Sequence, residues 1–386
     1  MIVFDKELLE NSFLLEDAKR LNSQGFVSQE QLGEIKKQLP VLKSHSNILL
    51  RIGFFVLGLL LVSSLTGAIS LVTISLLDSH AGIVLFIHTL LAIAVSEFLS
   101  REQNQHGYGL EDAFILSFQG FFCASISVGL ESPMTAFIAL GIIGFIACLR
   151  YVHTLSLVLS LVGITGAICY AVLGLKLVDS AFLPFILLFL ALVLYLVYTK
   201  IIKANHFAYY ANPLLLLQGF SLLLGYFSMN YLVVRELSES LLGLTIAKEK
   251  DIPLAVLFYA FTFLIPVFYI VYSLYDKDRL MLIIGFLTFG FAFYTIRFYY
   301  HILPVEVALL LGGMILILVA YLSIRKLRDK EAGITFKAAR GSETDILTNL
   351  EALVVNSQVD LKPMETNSKM PFEGGGFSGG GAGESF

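Results

Sequence analysis

Residues 52–74 read IGFFVLGLLLVSSLTGAISLVTI, a run without one charged side chain. The hydrocarbon core of a bilayer is about 30 Å thick, and about 20 helical residues at about 1.5 Å each cross it. Because lipid offers no hydrogen-bond partner to backbone amides, such a run must close its hydrogen bonds internally. The stretch therefore predicts a membrane-spanning helix.

Similar apolar stretches follow almost without pause. Their predicted bounds are 81–99, 112–130, 133–149, 153–174, 181–199, 208–227, 253–274, 280–298 and 303–324. The composition agrees, since 57% of residues are hydrophobic and 15% are charged, against about 25% charged in a soluble domain. The sequence predicts an all-α polytopic transmembrane bundle of about ten spans at 47–324, between a helical segment at 1–46 and a tail at 325–386.

Composition and motifs limit the function classes. A net charge of −4 without a basic stripe argues against a nucleic-acid partner. Cys123, Cys148 and Cys169 lie inside predicted spans without metal-site spacing, so we expect them to pack as apolar residues and predict no metal or cofactor. The motifs of zinc proteases, serine hydrolases and nucleotide-binding loops are missing, which leaves an enzyme the less favoured class.

Lys and Arg are concentrated in alternate connections between the spans. One set of connections holds Lys36, Lys37, Lys43, Arg101, Arg150, Lys200, Lys203, Lys277, Arg279, Arg325, Lys326, Arg328 and Lys330. Because basic residues collect in cytoplasmic loops, we expect both termini to be cytoplasmic. The charged first forty residues lack a signal peptide, so the first span is predicted to direct insertion. These features indicate a multi-pass protein of the cell's inner (cytoplasmic) membrane.

The N-terminal segment carries signals for two short helices. An apolar stripe at helical spacing runs over residues 4–24 and stops at Gly25, a typical C-terminal cap. Ser28 and Gln31 form a predicted capping box for a second helix that ends before Pro40. Helices so short are marginal alone, so we expect them to pack on each other, on the membrane surface or on a protein partner.

A family resemblance covers only this part of the chain. Residues 25–32, GFVSQEQL, followed by Arg51-Ile52-Gly53 and the leucines of the first span, resemble the start of bacterial membrane proteins with domain of unknown function 2157. The resemblance implies a small cytoplasmic helical segment ahead of many membrane helices. It implies no activity.

The long connection before the eighth span is predicted to be helical. Val233, Leu237, Leu241 and Leu244 recur at helical spacing among charged residues. This pattern favours an amphipathic helix at about 229–247 that lies on the outer membrane face or packs on its neighbours.

The C-terminal tail changes composition twice. A short helix is predicted at 342–356, and the Gly-rich remainder at 359–386 is predicted to be disordered because it cannot bury enough apolar surface. The ending is similar to the tails of membrane proteins with a TPM domain, although no such domain is visible. Phe377 and Phe386 are candidates for capture by a protein partner, and the alternative is a linker that nothing binds.

Ionisable and polar residues inside spans are candidate sites because burying them in lipid is costly. His88 could relay protons or bond to a neighbouring helix. Arg297 and Glu306, at facing ends of the ninth and tenth spans, could pair. The remaining candidates are Glu97, Gln119 and Gln218.

Three functions stay open from the sequence. The leading hypothesis is a membrane scaffold or accessory subunit whose cytoplasmic ends engage partners. The alternatives are a small-solute transporter or channel, suggested also by Pro266 inside a span, and a membrane-embedded transferase. A water-accessible cavity at His88 or Gln218 would favour transport, whereas a dry, closely packed core would favour the scaffold.

Overall fold

A computed structural model describes residues 2–23, 25–45, 47–203, 208–242 and 252–300, with isolated positions between 310 and 325. Within these ranges the backbone forms helices and turns and no named strand. The helices are α1 Lys6–Ser23, α2 Gln29–Gln38, α3 Ile48–Val72, α4 Ile74–Glu97, α5 Leu110–Leu130, α6 Pro133–Tyr151, α7 Thr154–Leu173, α8 Leu183–Lys203, α9 Ala211–Met229, α10 Tyr231–Leu242, α11 Ala255–Asp276 and α12 Arg279–Tyr300.

Nine helices in the described ranges are long and apolar enough to cross a membrane. They match the first nine predicted spans, which confirms an integral, multi-pass, all-α protein. The predicted tenth span, 303–324, lies almost wholly outside the described residues. Local signals set several boundaries, because Asn47 caps α3 at the Leu49 amide and Pro133 occupies the first turn of α6.

Consecutive spans pack as neighbours, and α9 also contacts α7, α11 and α12. The main pairs are α4 with α5, α6 with α7, α8 with α9, and α11 with α12. In α9, 56% of the span is buried inside the protein, against 11% in α3 and in α8. α9 is therefore the interior helix, and α3 and α8 turn most of their surface outward.

The N-terminal segment packs on one end of the bundle, which we call the proximal end; the opposite end is the distal end. The Val3 amide donates to the Arg150 carbonyl at 2.9 Å. The Lys43 amide donates to the Asn104 carbonyl at 2.8 Å, and the His106 amide donates back to Lys43 at 3.0 Å. Backbone pairing of this kind fixes residues 40–45 against the connection between α4 and α5.

α1 and α2 form the predicted pair of short helices. Ser28 and Gln31 make both bonds of the capping box at the start of α2. Asn11 Nδ2 donates to the Pro40 carbonyl at 3.0 Å, so α1 is tied to the linker that follows α2. Leu9 is buried against this linker and the end of the bundle.

The amphipathic stretch before α11 contains α10, which covers Tyr231–Leu242 of the predicted 229–247. Tyr231 and Val234 are buried against α9 and α11, so this helix packs at the distal end of the bundle. Residues 243–251 lie outside the described ranges, and so do the predicted tail helix 342–356 and the Gly-rich segment 359–386.

Candidate functional site

A chain of polar contacts joins three helices at the proximal end. Arg51 Nη2 and Nε donate to Asp112 Oδ2 at 2.7 and 3.1 Å. Asp112 Oδ1 lies 3.2 Å from His153 Nε2. His153 Nδ1 lies 2.7 Å from Ser156 Oγ, to which Gln119 Nε2 donates at 2.8 Å. We call these five residues the proximal polar chain.

The fold brings this chain together because α3, α5 and α7 all begin at the proximal end. Arg51 lies in the first turn of α3 and Asp112 in the first turn of α5, where a carboxylate also interacts favourably with the helix dipole. His153 is the N-cap of α7. At Gly109, with φ +107°, a Cβ would lie 2.2 Å from the Arg51 carbonyl oxygen, so only glycine permits this approach of the loop to α3.

Asp112 determines the protonation pattern of the chain. Its two oxygens face two donors, so a neutral His153 carries its proton on Nε2 and presents Nδ1 as an acceptor. Ser156 Oγ then donates to Nδ1, and the Ser156 amide reaches the same nitrogen at 3.3 Å. Arg51, Gln119 and Ser156 thus have defined acceptors, and His153 Nε2 lies beside Asp112 without a well-aligned hydrogen bond.

The order Asp112, His153, Ser156 is that of a catalytic triad, but the site lacks access. Ser156 has no exposed surface. Its hydroxyl is engaged by His153 and Gln119, and its backbone packs against Gly144, where a Cβ would lie 2.8 Å from the Ser156 carbonyl oxygen. A substrate carbonyl could not approach within the ~3 Å that nucleophilic attack needs. The arrangement fits a structural contact that holds α3, α5 and α7 together.

A second ion pair lies at the same end of the bundle. Arg150, in the last turn of α6, donates to both carboxylate oxygens of Glu97, at 2.8 Å for the Nη2 bond. Tyr151 Oη also donates to Glu97, at 2.7 Å, and lies 3.2 Å from Ser96 Oγ. These contacts fasten α4 to α6. The candidate Glu97 is thus engaged by α6 near the membrane boundary.

His106 lies in the connection between α4 and α5, outside the spans. Its ring contacts Phe4 edge-on at 4.8 Å between centroids, so the N-terminal segment covers it. Burial lowers the pKa of His106 to about 4, and the positive charge of Arg51 acts in the same direction while Asp112 opposes it. This histidine is therefore neutral at pH 7.

The predicted membrane-site residues do not converge on one place. His88 Nε2 lies 3.2 Å from the Thr66 carbonyl oxygen and 3.4 Å from Ser70 Oγ, which joins α4 to α3. Gln218 donates to Asp278 at the start of α12. Gln119 belongs to the proximal polar chain.

The other predicted candidates are only partly described. Arg297 is half-buried in the last turn of α12. Glu306, its predicted partner, lies outside the described residues, and so do Phe377 and Phe386. In the described ranges, no group of three or more His, Cys, Asp and Glu is arranged to hold a metal ion.

Two apolar cavities lie among the spans. One, of about 310 Å³, lies between α8, α9 and α11, and the other, of about 300 Å³, lies between α5 and α6. Neither is lined by His88, Gln119 or Gln218. His88 bonds to α3 and Gln218 to α12, whereas the side-chain oxygens of Gln119 and Gln218 are buried without a hydrogen-bond partner among the described residues.

Sequence reasoning missed Arg51, Asp112 and His153 as site residues because each stands at the edge of an apolar stretch. A signal was available in the order of the spans. Odd-numbered spans begin where even-numbered spans end, so Arg51, Asp112 and His153 must share one end of the bundle. Opposite charges at one end of neighbouring helices indicate a pair.

No family model, curated protein or solved structure matches the chain.

Proposed function

We propose that the protein is a membrane-embedded scaffold or accessory subunit that presents its N-terminal helical pair to a partner protein. One observation carries the proposal. The segment is fixed to the bundle, yet Leu14, Leu21 and Phe26 remain 55%, 40% and 77% exposed. We call these three residues the hairpin patch.

The patch is compact. Leu14 and Leu21 are two helical turns apart on one face of α1, and the Phe26 amide donates to the Leu21 carbonyl at 2.9 Å. Exposed aromatic and leucine side chains grouped in this way, rimmed by charge, are typical of protein contacts. Because the segment is already ordered by its bonds to the bundle, a partner would bind it without a large ordering cost.

The charges beside the patch favour a protein over a lipid surface. Glu7, Glu10 and Asp17 are exposed on α1. An anionic leaflet repels carboxylates, whereas it attracts helices rich in Lys and Arg. Lys6 and Arg20 are engaged with neighbouring carboxylates of the same helix. A partner with an apolar pocket and a basic rim fits this surface.

The transporter alternative has less support. Its candidates His88 and Gln218 bond to neighbouring helices, and the two cavities described above are apolar. The bundle core instead shows very close helix crossings at glycine, as between α6 and α7. A rigid anchor matches these features better than an alternating pathway does.

Several finer assignments belong to the same proposal. We place the protein in the bacterial inner membrane with both termini in the cytoplasm, on the distribution of Lys and Arg. The resemblances to proteins with domain of unknown function 2157 and, in the tail, to TPM-domain proteins stay predictions. The tail residues Phe377 and Phe386 are proposed as a second, flexible contact for a partner.

The test is quantitative affinity capture of the full-length protein from native membranes. The double variant Leu14→Ser/Phe26→Ser removes most of the patch, and Lys36→Ala/Lys37→Ala on α2 is the matched control. We expect a defined set of proteins that the control retains and the patch variant loses by about tenfold or more, because apolar anchors dominate such contacts. Deleting 374–386 tests the tail separately.

Two results would overturn the scaffold proposal. One is a recovered set of proteins that the patch variant leaves unchanged while its melting temperature equals that of wild type. The other is saturable uptake of a solute by proteoliposomes containing the purified protein alone, since transport needs no partner.

A further inference from the structure

The cavity between α8, α9 and α11, which we call the α8–α11 groove, has walls suited to one chemical class. It is lined by Leu188, Ala191, Leu192, Tyr195, Ser221, Leu222, Gly225, Phe261, Leu264, Ile265, Phe268, Tyr269 and Met281. Its volume of about 310 Å³ is at the lower end of the range for ligand pockets. Leu192 and Leu264 stand at its rim, 55% and 60% exposed, so the groove opens sideways from the bundle.

The polar atoms in the groove already have partners. Ser221 Oγ donates to the Gln218 carbonyl at 2.7 Å, and Tyr269 Oη donates to the Leu222 carbonyl at 3.0 Å. Tyr195 Oη lies 4.0 Å from the sulfur of Met281. A polar solute would gain no new hydrogen bond from these groups, so the walls favour a hydrocarbon chain.

The shape of the groove determines the direction in which a bound hydrocarbon chain would lie. At the distal end, Phe185 and Phe258 approach with ring centroids 6.2 Å apart and bring α8 against α11. Gly225 deepens the floor, because a Cβ there would lie 3.1 Å from Tyr269 Oη. Met281, at the start of α12, marks the proximal limit of the groove. The groove therefore spans the middle of the bundle, and a hydrocarbon chain that enters from the proximal side ends before Phe185 and Phe258.

Basic residues lie at the proximal ends of the two helices that flank the groove. Lys200 follows the groove residue Tyr195 by five positions, about 8 Å along α8 at ~1.5 Å per residue. Lys277 follows Tyr269 by eight positions, about 12 Å. Lys203 and Arg279 are exposed at the same end.

Two carboxylates, Asp276 and Asp278, lie beside these basic groups. Asp278 accepts from Gln218 and from the Met281 amide at 3.0 Å. Four basic residues against two acidic ones leave a positive margin at the proximal boundary, where lipid phosphates lie.

We propose that the α8–α11 groove binds one acyl chain of an anionic phospholipid, whose phosphate is held by Lys200 and Lys277. The site lies in the membrane leaflet at the proximal end. It goes beyond the proposed scaffold role and does not depend on it, because a lipid bound here stabilises the contact between α8 and α11 whether or not a partner protein binds elsewhere.

The test measures the melting temperature of the full-length protein in detergent during titration with phosphatidylglycerol or phosphatidylcholine. We expect phosphatidylglycerol to raise the melting temperature with a lower half-saturation concentration than phosphatidylcholine. Lys200→Gln/Lys277→Gln should raise that concentration for phosphatidylglycerol by about tenfold or more. The control Lys36→Gln/Lys37→Gln, on α2, should leave it unchanged.

A second pair of variants tests the groove itself. Leu264→Trp covers the rim, and Leu287→Trp, equally exposed on α12 outside the groove, is its matched control. We expect only Leu264→Trp to remove the stabilisation by phosphatidylglycerol, and inorganic phosphate to give none.

Three results would overturn the lipid site. They are equal half-saturation by the two lipids, a phosphatidylglycerol response that Leu264→Trp leaves intact, and an equal response to inorganic phosphate. If Leu264→Trp lowers the melting temperature of lipid-free protein and no lipid responds, the groove belongs to the chain's own segment 303–324 instead.

Discussion

Asp112 accepts from Arg51 and lies 3.2 Å from His153 Nε2, and this position between α3 and α7 makes it the most sensitive residue of the proximal polar chain. In Asp112→Asn the amide nitrogen must face either Arg51 or His153, so one donor meets another donor. His153 cannot relieve the conflict by moving its proton, because Nδ1 serves Ser156. We expect the free energy of unfolding to fall by about 2 kcal/mol.

Asp17→Asn is the matched control for that substitution. Asp17 lies 3.2 Å from Arg20 in a surface pair of α1, with 60% of the aspartate side chain exposed. Exposed pairs contribute little, about 0–1 kcal/mol. Thermal or chemical unfolding in detergent compares the two variants. Equal losses of stability would show that the proximal polar chain contributes no more than a surface ion pair.

His106 predicts a dependence of stability on pH. Its pKa is about 4 in the folded protein and about 6.5 in an unfolded chain. Between these values the unfolded state binds a proton that the folded state does not, so stability is full above pH 6.5 and falls as the pH is lowered toward 4.

The measurement is the melting temperature at pH 7.5 and pH 5.0. We expect His106→Gln to lose less stability on acidification than wild type does. If acidification lowers the melting temperature of His106→Gln as much as that of wild type, other groups cause the pH dependence.

At the residue scale, the sequence identified Glu97 and Gln119 as polar groups but not what they touch. Gln119 meets Ser156 across 37 positions of sequence, and Arg51 meets Asp112 across 61. Hydropathy reports how deep a residue lies and says nothing of which neighbour faces it. Whether a span is odd- or even-numbered shows at which end of the bundle a residue lies. Which residue it contacts there depends on how the helices pack.

At the element scale, the crossing of α6 and α7 depends on glycine. A Cβ at Gly163 would lie 2.4 Å from the Gly141 nitrogen and 2.7 Å from the Phe137 carbonyl oxygen, both backbone atoms that cannot turn away. Gly163, Ala167 and Ala171 follow one another at four-residue spacing on α7, a pattern typical of close helix contacts. Gly163→Ala should cost about 1–3 kcal/mol because the two helices must separate.

The matched control is Gly120→Ala in α5. No atom lies within 4 Å of a Cβ built there. Alanine also favours a helix over glycine by up to about 1 kcal/mol, so this variant should be neutral or slightly more stable. Melting temperatures in detergent decide the case, and a Gly163→Ala protein as stable as Gly120→Ala would exclude a tight crossing.

The elements themselves were predictable because lipid restricts the choice of structure. A run of apolar residues has one way to close its backbone hydrogen bonds, so hydropathy located the nine described spans within a few residues. The position of α10 was harder to predict, because its buried face contacts α9 and α11 and the sequence shows only the spacing of its apolar residues. The docking of α1 on residues 40–45 was left open, because short helices carry no signal for the surface that covers them.

At the scale of the whole molecule, the nine described spans carry the chain from the proximal end of the bundle to the distal end. Residues 2–45 pack at the proximal end, and α12 finishes at the distal end, where Tyr299 contacts Tyr231. The charge pattern predicts that segment 303–324 crosses once more and returns the tail to the proximal side. This return decides whether the hairpin patch and Phe386 can engage the same partner.

Cysteine labelling in intact cells tests whether the tail lies on the same side of the membrane as the N-terminal segment. In a background with Cys123, Cys148 and Cys169 replaced by alanine, Ser23→Cys and Ser368→Cys should both resist a membrane-impermeant maleimide, because both sites are predicted to face the cytoplasm. Lys176→Cys, exposed at the distal end, should react. Labelling of Ser368→Cys alongside a protected Ser23→Cys would place the tail outside the cell. The two ends of the chain could then not share a cytoplasmic partner, while the hairpin patch would keep its proposed role.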